Sequence, residues 1–316
     1  MATTTSITTT YAGEFAGQYI AAALLEGATI ANGGITVKPN VKLKEVIKKV
    51  SSNDIVKDAT CDFSATSTLT LTERILQPEE QQVNLQLCKK DFVSDWEAVQ
   101  MGYSSFSNLP PAFSDFLIGH VAAKVAQRTE NSIWTGDTST NGQFNGLTTQ
   151  IALDADLPSG QEVSGTTITS SNVIAQLGSI VDAIPSALYG SEDLFLYVSQ
   201  NIARAYVRAL GGFASGVGSA GVDSKGTQWW NNGALSFDGV KIFIANGLAD
   251  NTAIAAEKSN LFFGTGLLSD HNEVKVIDMA DLDGSQNVRV VMRFSAGVQY
   301  GIVTDIVTYG ITNSAN

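Results

Sequence analysis

Phe113–Leu147 reads FSDFLIGHVAAKVAQRTENSIWTGDTSTNGQFNGL. Phe113, Leu117, Val121, Val125 and Ile133 recur at steps of four or a multiple of four, and Ile118, Ala122 and Ala126 form the adjacent ridge. Together they make one apolar stripe at helical spacing. Asp115, Lys124, Gln127, Arg128 and Asn131 fall off that stripe. The spacing predicts a helix over Phe113–Trp134, roughly 33 Å long at 1.5 Å per residue. Gly136 stands where a left-handed stop residue belongs, and Asn141-Gly142 and Asn145-Gly146 mark turns. By itself the stretch reads as a long core helix with a capped end.

Upstream, Leu109-Pro110-Pro111 punctuates the helix start. Asp91–Tyr103, with Trp96, reads as one or two amphipathic turns. Before it, Thr68-Leu69-Thr70-Leu71-Thr72 alternates with period two, and so does Val83–Cys88, with Gln77-Pro78-Glu79-Glu80 between them. The pattern predicts a β-hairpin with a polar tip. Legs of about ten residues would reach roughly 33 Å, and a two-stranded ribbon of that length needs a surface to lie on. Cys61 and Cys88 would not face each other across such a turn and read as free thiols. Lys38 and the run VKLKEVIKKV after it place Lys38, Lys42, Lys44, Lys48 and Lys49 around Glu45 alone. A solvated face is the ordinary reading. The sharper one is an arm lying on an acidic neighbouring surface, or on an interior exposed to nucleic acid. Ile35-Thr36-Val37 is a short extended piece, Glu14–Glu26 a candidate helix, and residues 1–10 a Thr-rich, uncharged start.

Downstream, residues 148–169 form a polar connector. Asn172–Ile184 reads as a helix with Val173, Leu177, Ile180, Val181 and Ile184 on its face, Ser170 or Ser171 as cap and Pro185 as stop. Leu194–Val198 is a continuous apolar strand of the kind buried on both faces. A helix capped by Ser199 then runs to Leu210. Residues 211–234 form a glycine-rich loop containing Trp229-Trp230. Strands follow at Phe237–Ala245, with a turn at Asp238-Gly239, at Asn260–Gly264 and at Val274–Ile277. Asn287–Phe294 and Val298–Ile311 read as paired antiparallel strands. The order predicts a mixed α+β protein with an α/β unit after the long helix.

Composition narrows the function. Of 316 residues, 44% are hydrophobic and 16% charged, a globular balance. A net charge of −12 argues against tight gripping of nucleic acid, because phosphate contacts need Lys and Arg. Two cysteines and two histidines argue against a four-ligand metal site and exclude a disulfide framework. No apolar window reaches membrane-spanning length. No basic residue precedes the apolar run Tyr19–Leu25, so a secretory signal is not expected, and folding in a reducing cytoplasm is.

Candidate chemistry is thin. Gly216-Val-Gly218-Ser-Ala-Gly221 fits a dinucleotide fingerprint by letter, but it follows a helix and leads into a polar loop, the reverse of the required context. Lys225 is followed by Gly226, so no phosphate loop is completed. Asp278, Asp281, Asp283, Ser285 and Asn287 offer oxygens around Gly284, yet the bidentate Glu of a calcium loop is missing; a solvated turn is the plainer reading. Ser269-Asp270-His271 sets triad residue types side by side, where consecutive residues do not aim a base at a nucleophile. His120 reads as a packing residue of the long helix. No pair of carboxylates stands out for acid–base work. The sequence therefore assigns no catalytic, cofactor-binding or metal-binding residue, and it does not read as an enzyme.

One resemblance does organise the chain. Glu130-Asn-Ser-Ile-Trp134-x-Gly136-Asp137 followed by Asn145-Gly146-Leu147 resembles the junction after the spine helix in tailed-bacteriophage major capsid proteins of the Hong Kong 97-type fold. The order around it is similar as well: LTLTERIL and VNLQLCKKDF, then the helix, then VDAIP and LFLYVSQNIARAYV, then FDGVKIFIANGL, SNLFFGTG and VRVVMRFSAGVQYGIVTDIV. ERIL…VNLQLCKKDF is similar to capsid proteins of crAss-like phages. The resemblance covers roughly residues 11–311, and the order of the motifs is its specific part.

It implies an N-terminal arm over 1–58, an extended hairpin (the E-loop) over 59–100, and a peripheral domain with the spine helix over 101–165. An axial domain over 166–284 and closing strands over 285–316 complete the plan. It implies a self-assembling shell of pentamers and hexamers around double-stranded DNA, assembled in the host bacterial cytoplasm and located in the virion. Separate scaffolding, portal and decoration proteins are implied too, with little room before Tyr11 for a built-in scaffolding segment. Some relatives cross-link Lys to Asn; Lys89 and Lys90 are present, but no residue is matched to that chemistry. The alternatives are an encapsulin-like nanocompartment shell on the same fold, a β-rich binding module, or a soluble enzyme using Asp270 and His271.

Overall fold

The computed structural model describes residues 28–52, 56–59, 61, 68–88, 111–210, 235–266 and 275–315. In chain order the elements begin with α1 (Ala28–Ala31), β1 (Thr36–Lys38), β2 (Glu45–Ser52), β3 (Leu69–Leu76) and β4 (Glu79–Cys88). Then come α2 (Pro111–Thr135), α3 (Leu147–Ile151), β5 (Glu162–Val163), α4 (Val173–Asp182), β6 (Leu194–Val198) and α5 (Gln200–Leu210). The closing part holds β7 (Ser236–Phe237), β8 (Val240–Ile244), β9 (Ala253–Glu257), β10 (Leu261–Thr265), β11 (Lys275–Asp278), α6 (Ala280–Asp283), β12 (Asn287–Tyr300) and β13 (Val307–Tyr309).

The long helix α2 starts at Pro111, where a missing backbone N–H costs nothing. Leu117 and Val121 pack with Leu87 of β4 and Val290 of β12, and Val125 lies at the edge of that contact. In its last turn, Ile133 and Trp134 enter the main core. The second ridge packs less than its spacing promised: Ala122 is exposed, and Ile118 and Ala126 are half-buried. The buried stripe is therefore narrower than the apolar stripe. Gly136 is not a left-handed stop; its φ is not among the positive ones. It is glycine because a Cβ there would lie 2.2 Å from the Phe144 carbonyl oxygen. Close backbone approach, not handedness, selects it.

Two sheets flank the helix end. One runs β1-β10-β12-β11, with β4 paired along β12. The other runs β5-β13-β9-β6-β8-β7. In the second, β6 is parallel to β8 and antiparallel to β9. Leu194, Leu196 and Val198 of β6 face α4 and α5, while Phe195 and Tyr197 face the main core, so this strand is buried on both faces. Val173, Leu177, Ile180, Val181 and Ile184 are all buried on the α4 side. Asn172, not Ser170 or Ser171, precedes that helix, and its side-chain oxygen accepts from the Thr169 N–H at 2.8 Å rather than capping the helix. Asp238 and Gly239, both at positive φ, make the turn between β7 and β8.

Two expected strand pairings are replaced. The Thr68–Thr72 and Val83–Cys88 legs do not pair with each other. Instead β3 pairs with β2, from Glu45↔Leu76 to Ser52↔Leu69, and β4 pairs with β12, from Asn287↔Cys88 to Ala296↔Glu79. Gln77-Pro78 carries the chain from one sheet to the other. The part of the lysine-rich run from Glu45 onward, with Lys48 and Lys49, is thus one leg of the hairpin, while Lys38, Lys42 and Lys44 lie before it. Period-two alternation identifies a strand but not its partner; here the apolar side chains of β4 meet Val288, Val290 and Met292 across the sheet. Likewise, Asn287–Tyr300 is one strand running straight through Gly297, and β13 joins the other sheet beside β9. Gly297 does not interrupt β12; it admits the Gln77 carbonyl oxygen, 2.8 Å from where a Cβ would sit.

Candidate assembly surfaces

Three segments converge where the long helix ends. Glu130 is 1% exposed. Its Oε1 accepts from the Thr29 hydroxyl at 2.5 Å and its Oε2 from the Thr29 N–H at 3.1 Å. The same hydroxyl accepts from Trp134 Nε1 at 2.8 Å. Burial pushes the Glu130 carboxyl above the ordinary carboxylate range, against the pull of bonds from Thr29, Trp134 and the Gly247 backbone. None of those partners is charged. Around them Tyr197 donates to the Gly34 carbonyl at 2.6 Å, and its ring lies 5.1 Å from that of Trp134. Glu130 and Trp134 of the sequence motif therefore bolt residues 28–34 to the helix and to the second sheet. Thr29 carries no signal of this role in the sequence.

A second cluster fixes the root of the β2–β3 hairpin. Leu76 is fully buried. Arg74 pairs with Asp154 and lies over the Tyr300 ring, 4.6 Å from its centre. The Tyr300 hydroxyl donates to Asp154 Oδ2 at 2.7 Å. Burial raises the Asp154 carboxyl, but bonds from Tyr300, the Asp156 N–H and Arg74 outweigh it and hold the group below its usual range. Lys38 pairs with Glu45 at the start of β2. Gln299 Nε2 donates to the Ile75 carbonyl at 3.1 Å. Between them these contacts fasten the root of the hairpin to β12 and to the segment after α3.

Beyond that root the hairpin presents two unlike faces. Period two places Val46 and Ile75, Lys48 and Glu73, Val50 and Leu71, and Ser52 and Leu69 together on one side. Val46, Val50, Leu69, Leu71 and Ile75 are between 42% and 68% exposed. On the other side lie Ile47, Lys49 and Arg74, and Lys49 is close enough to Asp305 to pull its carboxyl down, against a larger rise from burial. Eight paired residues per leg extend about 27 Å at 3.4 Å per residue. Such a ribbon with an apolar face in water needs a covering surface.

The sequence-level candidates for chemistry fall elsewhere. Asp278 Oδ1 accepts from the Ala280 N–H and Asp283 Oδ1 from the Ser285 N–H, closing the turns at either end of α6, and Gly284 follows at positive φ. Among the described residues no three His, Cys, Asp or Glu side chains form a metal-holding group, and no helix is long and apolar enough to cross a membrane. Cys61 and Cys88 are free thiols, the first exposed and the second half-buried. His120 is half-buried on α2. Gly216–Gly221, Lys225, Trp229-Trp230, Ser269–His271, Lys89, Lys90, Glu14–Glu26 and Asp91–Tyr103 lie outside the described residues.

No protein-family model and no curated protein matches the sequence. Solved structures do. The capsid of a native GTA particle superposes with a TM-score of 0.57 at 13% identity, covering 93% of this chain and 93% of that one. The capsid of Myoviridae phage XM1 gives 0.57 at 12% identity, covering 92% and 94%. The capsid of cyanophage P-SCSP1u gives 0.56 at 15% identity, covering 95% and 92%. The chain has the Hong Kong 97-type fold. Within that fold the similarity runs nearly end to end in both chains, so the architecture is shared as a whole and not as a common fragment.

Proposed function

We propose that this chain is the major capsid protein of a tailed bacteriophage, self-assembling into the icosahedral head shell that encloses double-stranded DNA. The observation that carries the reading is the β2–β3 hairpin: a fixed root, about 27 Å of ribbon, and an apolar face left in water by a single copy. A protein working as a monomer has no use for that face. In a shell, each copy's hairpin lies on its neighbour and plays the part of the E-loop. Covering five aliphatic side chains would contribute on the order of 5 kcal/mol per interface before ordering costs. Many such modest contacts close a shell while letting a misplaced subunit leave. The long helix and the sheet of β4, β10, β11 and β12 form the peripheral part, and the second sheet with α4 and α5 forms the axial part around the five- and six-fold positions. A net charge of −12 suits a container that holds DNA without gripping it. The protein is then a component of the virion, assembled in the host cytoplasm from pentamers and hexamers.

Electron microscopy of the expressed and purified chain tests this, with light scattering across a concentration series. Closed shells or ring-shaped capsomers are expected. Monodisperse monomers at every concentration would rule the reading out. Nucleic-acid content of phage-derived particles separates a DNA container from an enzyme-filled compartment on the same fold.

A further inference from the structure

The turn after the long helix holds a chemically fragile step. Asparagine is a labile residue, and a following glycine leaves the next backbone nitrogen without a side chain to shield it. Among the described residues Asn-Gly occurs at Asn32, Asn141, Asn145 and Asn246. The fold treats the four differently. The Gly33 N–H donates to the Ile30 carbonyl at 3.1 Å. The Gly146 N–H donates to the Gly136 carbonyl at 2.9 Å, and Asn145 Oδ1 accepts from the Thr138 N–H at 3.1 Å. Gly247 is buried with its N–H on Glu130, and Asn246 Oδ1 accepts from Gln200 Nε2 at 2.9 Å. In each of these three the nitrogen that would attack the carboxamide is already committed.

Asn141 and Gly142 are both exposed, and Gly142 sits at positive φ with nothing within 4 Å of where a Cβ would lie. No hydrogen bond among the described residues engages the Gly142 N–H or the Asn141 carboxamide. The turn is held by its carbonyls instead. Arg128 Nη2 donates to the Asn141 carbonyl at 3.0 Å and Arg128 Nε to the Gly142 carbonyl at 3.3 Å. The attacking nitrogen and its target are therefore free, while the main-chain carbonyl between them faces a guanidinium.

We infer that Asn141 is a self-modification site, which converts to isoaspartate ahead of Asn32, Asn145 and Asn246, with Arg128 steering the outcome. The Gly142 nitrogen gives its proton to hydroxide and attacks Asn141 Cγ. The bond from Cγ to the side-chain nitrogen breaks, ammonia leaves, and a succinimide closes. Water then opens the ring. Attack at Cγ returns an ordinary aspartate. Attack at the main-chain carbonyl carbon breaks its bond to the Gly142 nitrogen, frees an α-carboxylate and leaves the chain running through Cγ, which is isoaspartate. One water is consumed and one ammonia released, with nothing oxidised or reduced. Arg128 already donates to the oxygen that turns negative in the second attack, so it stabilises that route and then pairs with the carboxylate formed there. The chemistry needs only the folded chain and stands whether or not copies assemble.

Peptide mapping of the purified full-length chain, aged in mildly alkaline buffer, tests it, with electron-transfer fragmentation to tell isoaspartate from aspartate. Asn141 should lose ammonia first, about tenfold or more ahead of the three positions whose glycine nitrogen must break a hydrogen bond. Equal or faster loss at any of those three, or an intact Asn141 after they have reacted, would overturn the site. Arg128→Gln reads the steering. The side chain is exposed, so the variant should melt as wild type, while the isoaspartate-to-aspartate ratio at position 141 should fall by roughly twofold, the modest factor expected of a solvent-screened charge. High salt should move the wild-type ratio in the same direction without any substitution. A ratio unchanged by both would overturn the role of Arg128.

Discussion

Thr29 and Glu130 stand 101 positions apart in sequence, and the Thr29 hydroxyl lies 2.5 Å from Glu130 Oε1. That contact fastens the segment entering the fold to the last turns of the long helix. The Thr29 hydroxyl has both roles filled, donating to Glu130 and accepting from Trp134. Thr29→Val keeps the shape and removes both. A buried acceptor is left short of a donor and a buried indole N–H short of an acceptor, which should cost about 1–3 kcal/mol. Urea unfolding followed by tryptophan fluorescence measures it. A change below about 0.5 kcal/mol, the size of an ordinary surface substitution, would show that water or another group replaces the hydroxyl.

The same site gives the protein a pH dependence of unusual sign for a carboxylate. Burial raises the folded-state pKa of Glu130 above its ordinary value of 4.5. The folded state therefore holds the proton more tightly than the unfolded state does. Its contribution to stability is full below about 4.5 and is lost as pH rises through the folded pKa. Glu130→Gln removes the titration. The melting temperature of the wild type, taken relative to that variant, should fall as pH rises above 4.5. A flat difference, or one of opposite slope, would contradict the burial argument.

Asp154 works in the other direction. Its pKa is held below 3.8, so its stabilisation is present above that value and disappears only as pH falls through the lower folded one. Arg74→Leu keeps much of the packing on Tyr300 and removes the pair. Both partners keep some solvent access, so the direct loss in stability should be about 1 kcal/mol. The larger effect should be on assembly, because the hairpin root is no longer fastened: far-UV circular dichroism near wild type, with particle yield sharply reduced. Wild-type yield would show that the hairpin is oriented by its neighbours alone.

Val121 is 5% exposed, in the middle of the long helix and against β12. Val121→Pro removes a backbone hydrogen bond, adds a clash, and opens the contact with Val290. A loss of about 3 kcal/mol or more is expected, with no particles formed. Differential scanning calorimetry and microscopy of the same preparation check both. Particles at normal yield would mean that the helix is not the bar that holds the two sheets in place.

Local elements were legible in the sequence where periodicity and burial agree. The α2 helix, the α4 face and the β6 strand follow from their apolar spacing alone. Pairing was not legible. Leu69 and Leu71 alternate as cleanly as Val83 and Leu87, yet the first pair stays in solvent and the second packs under the long helix. Alternation states that one face differs from the other, and only the partner strand decides which face is covered. The lysine run was obscure for the same reason: Lys48 and Lys49 sit on opposite faces of β2, so their summed charge has no single address. Glu130 and Trp134 were visible as a motif, but their partner Thr29 lies 101 and 105 positions away, with nothing local to mark it.

Strands β2 (Glu45–Ser52) and β3 (Leu69–Leu76) pair as a hairpin, and on the proposed function another copy of the chain completes its apolar face. A cryo-electron microscopy map of the assembled particle tests it most directly. The expected map shows a shell in which β2 and β3 pair with each other and lie on the adjacent subunit, with Val50 and Leu71 excluded from water. A particle in which that face remains in solvent, or in which residues 68–88 fold back as their own hairpin, would contradict it.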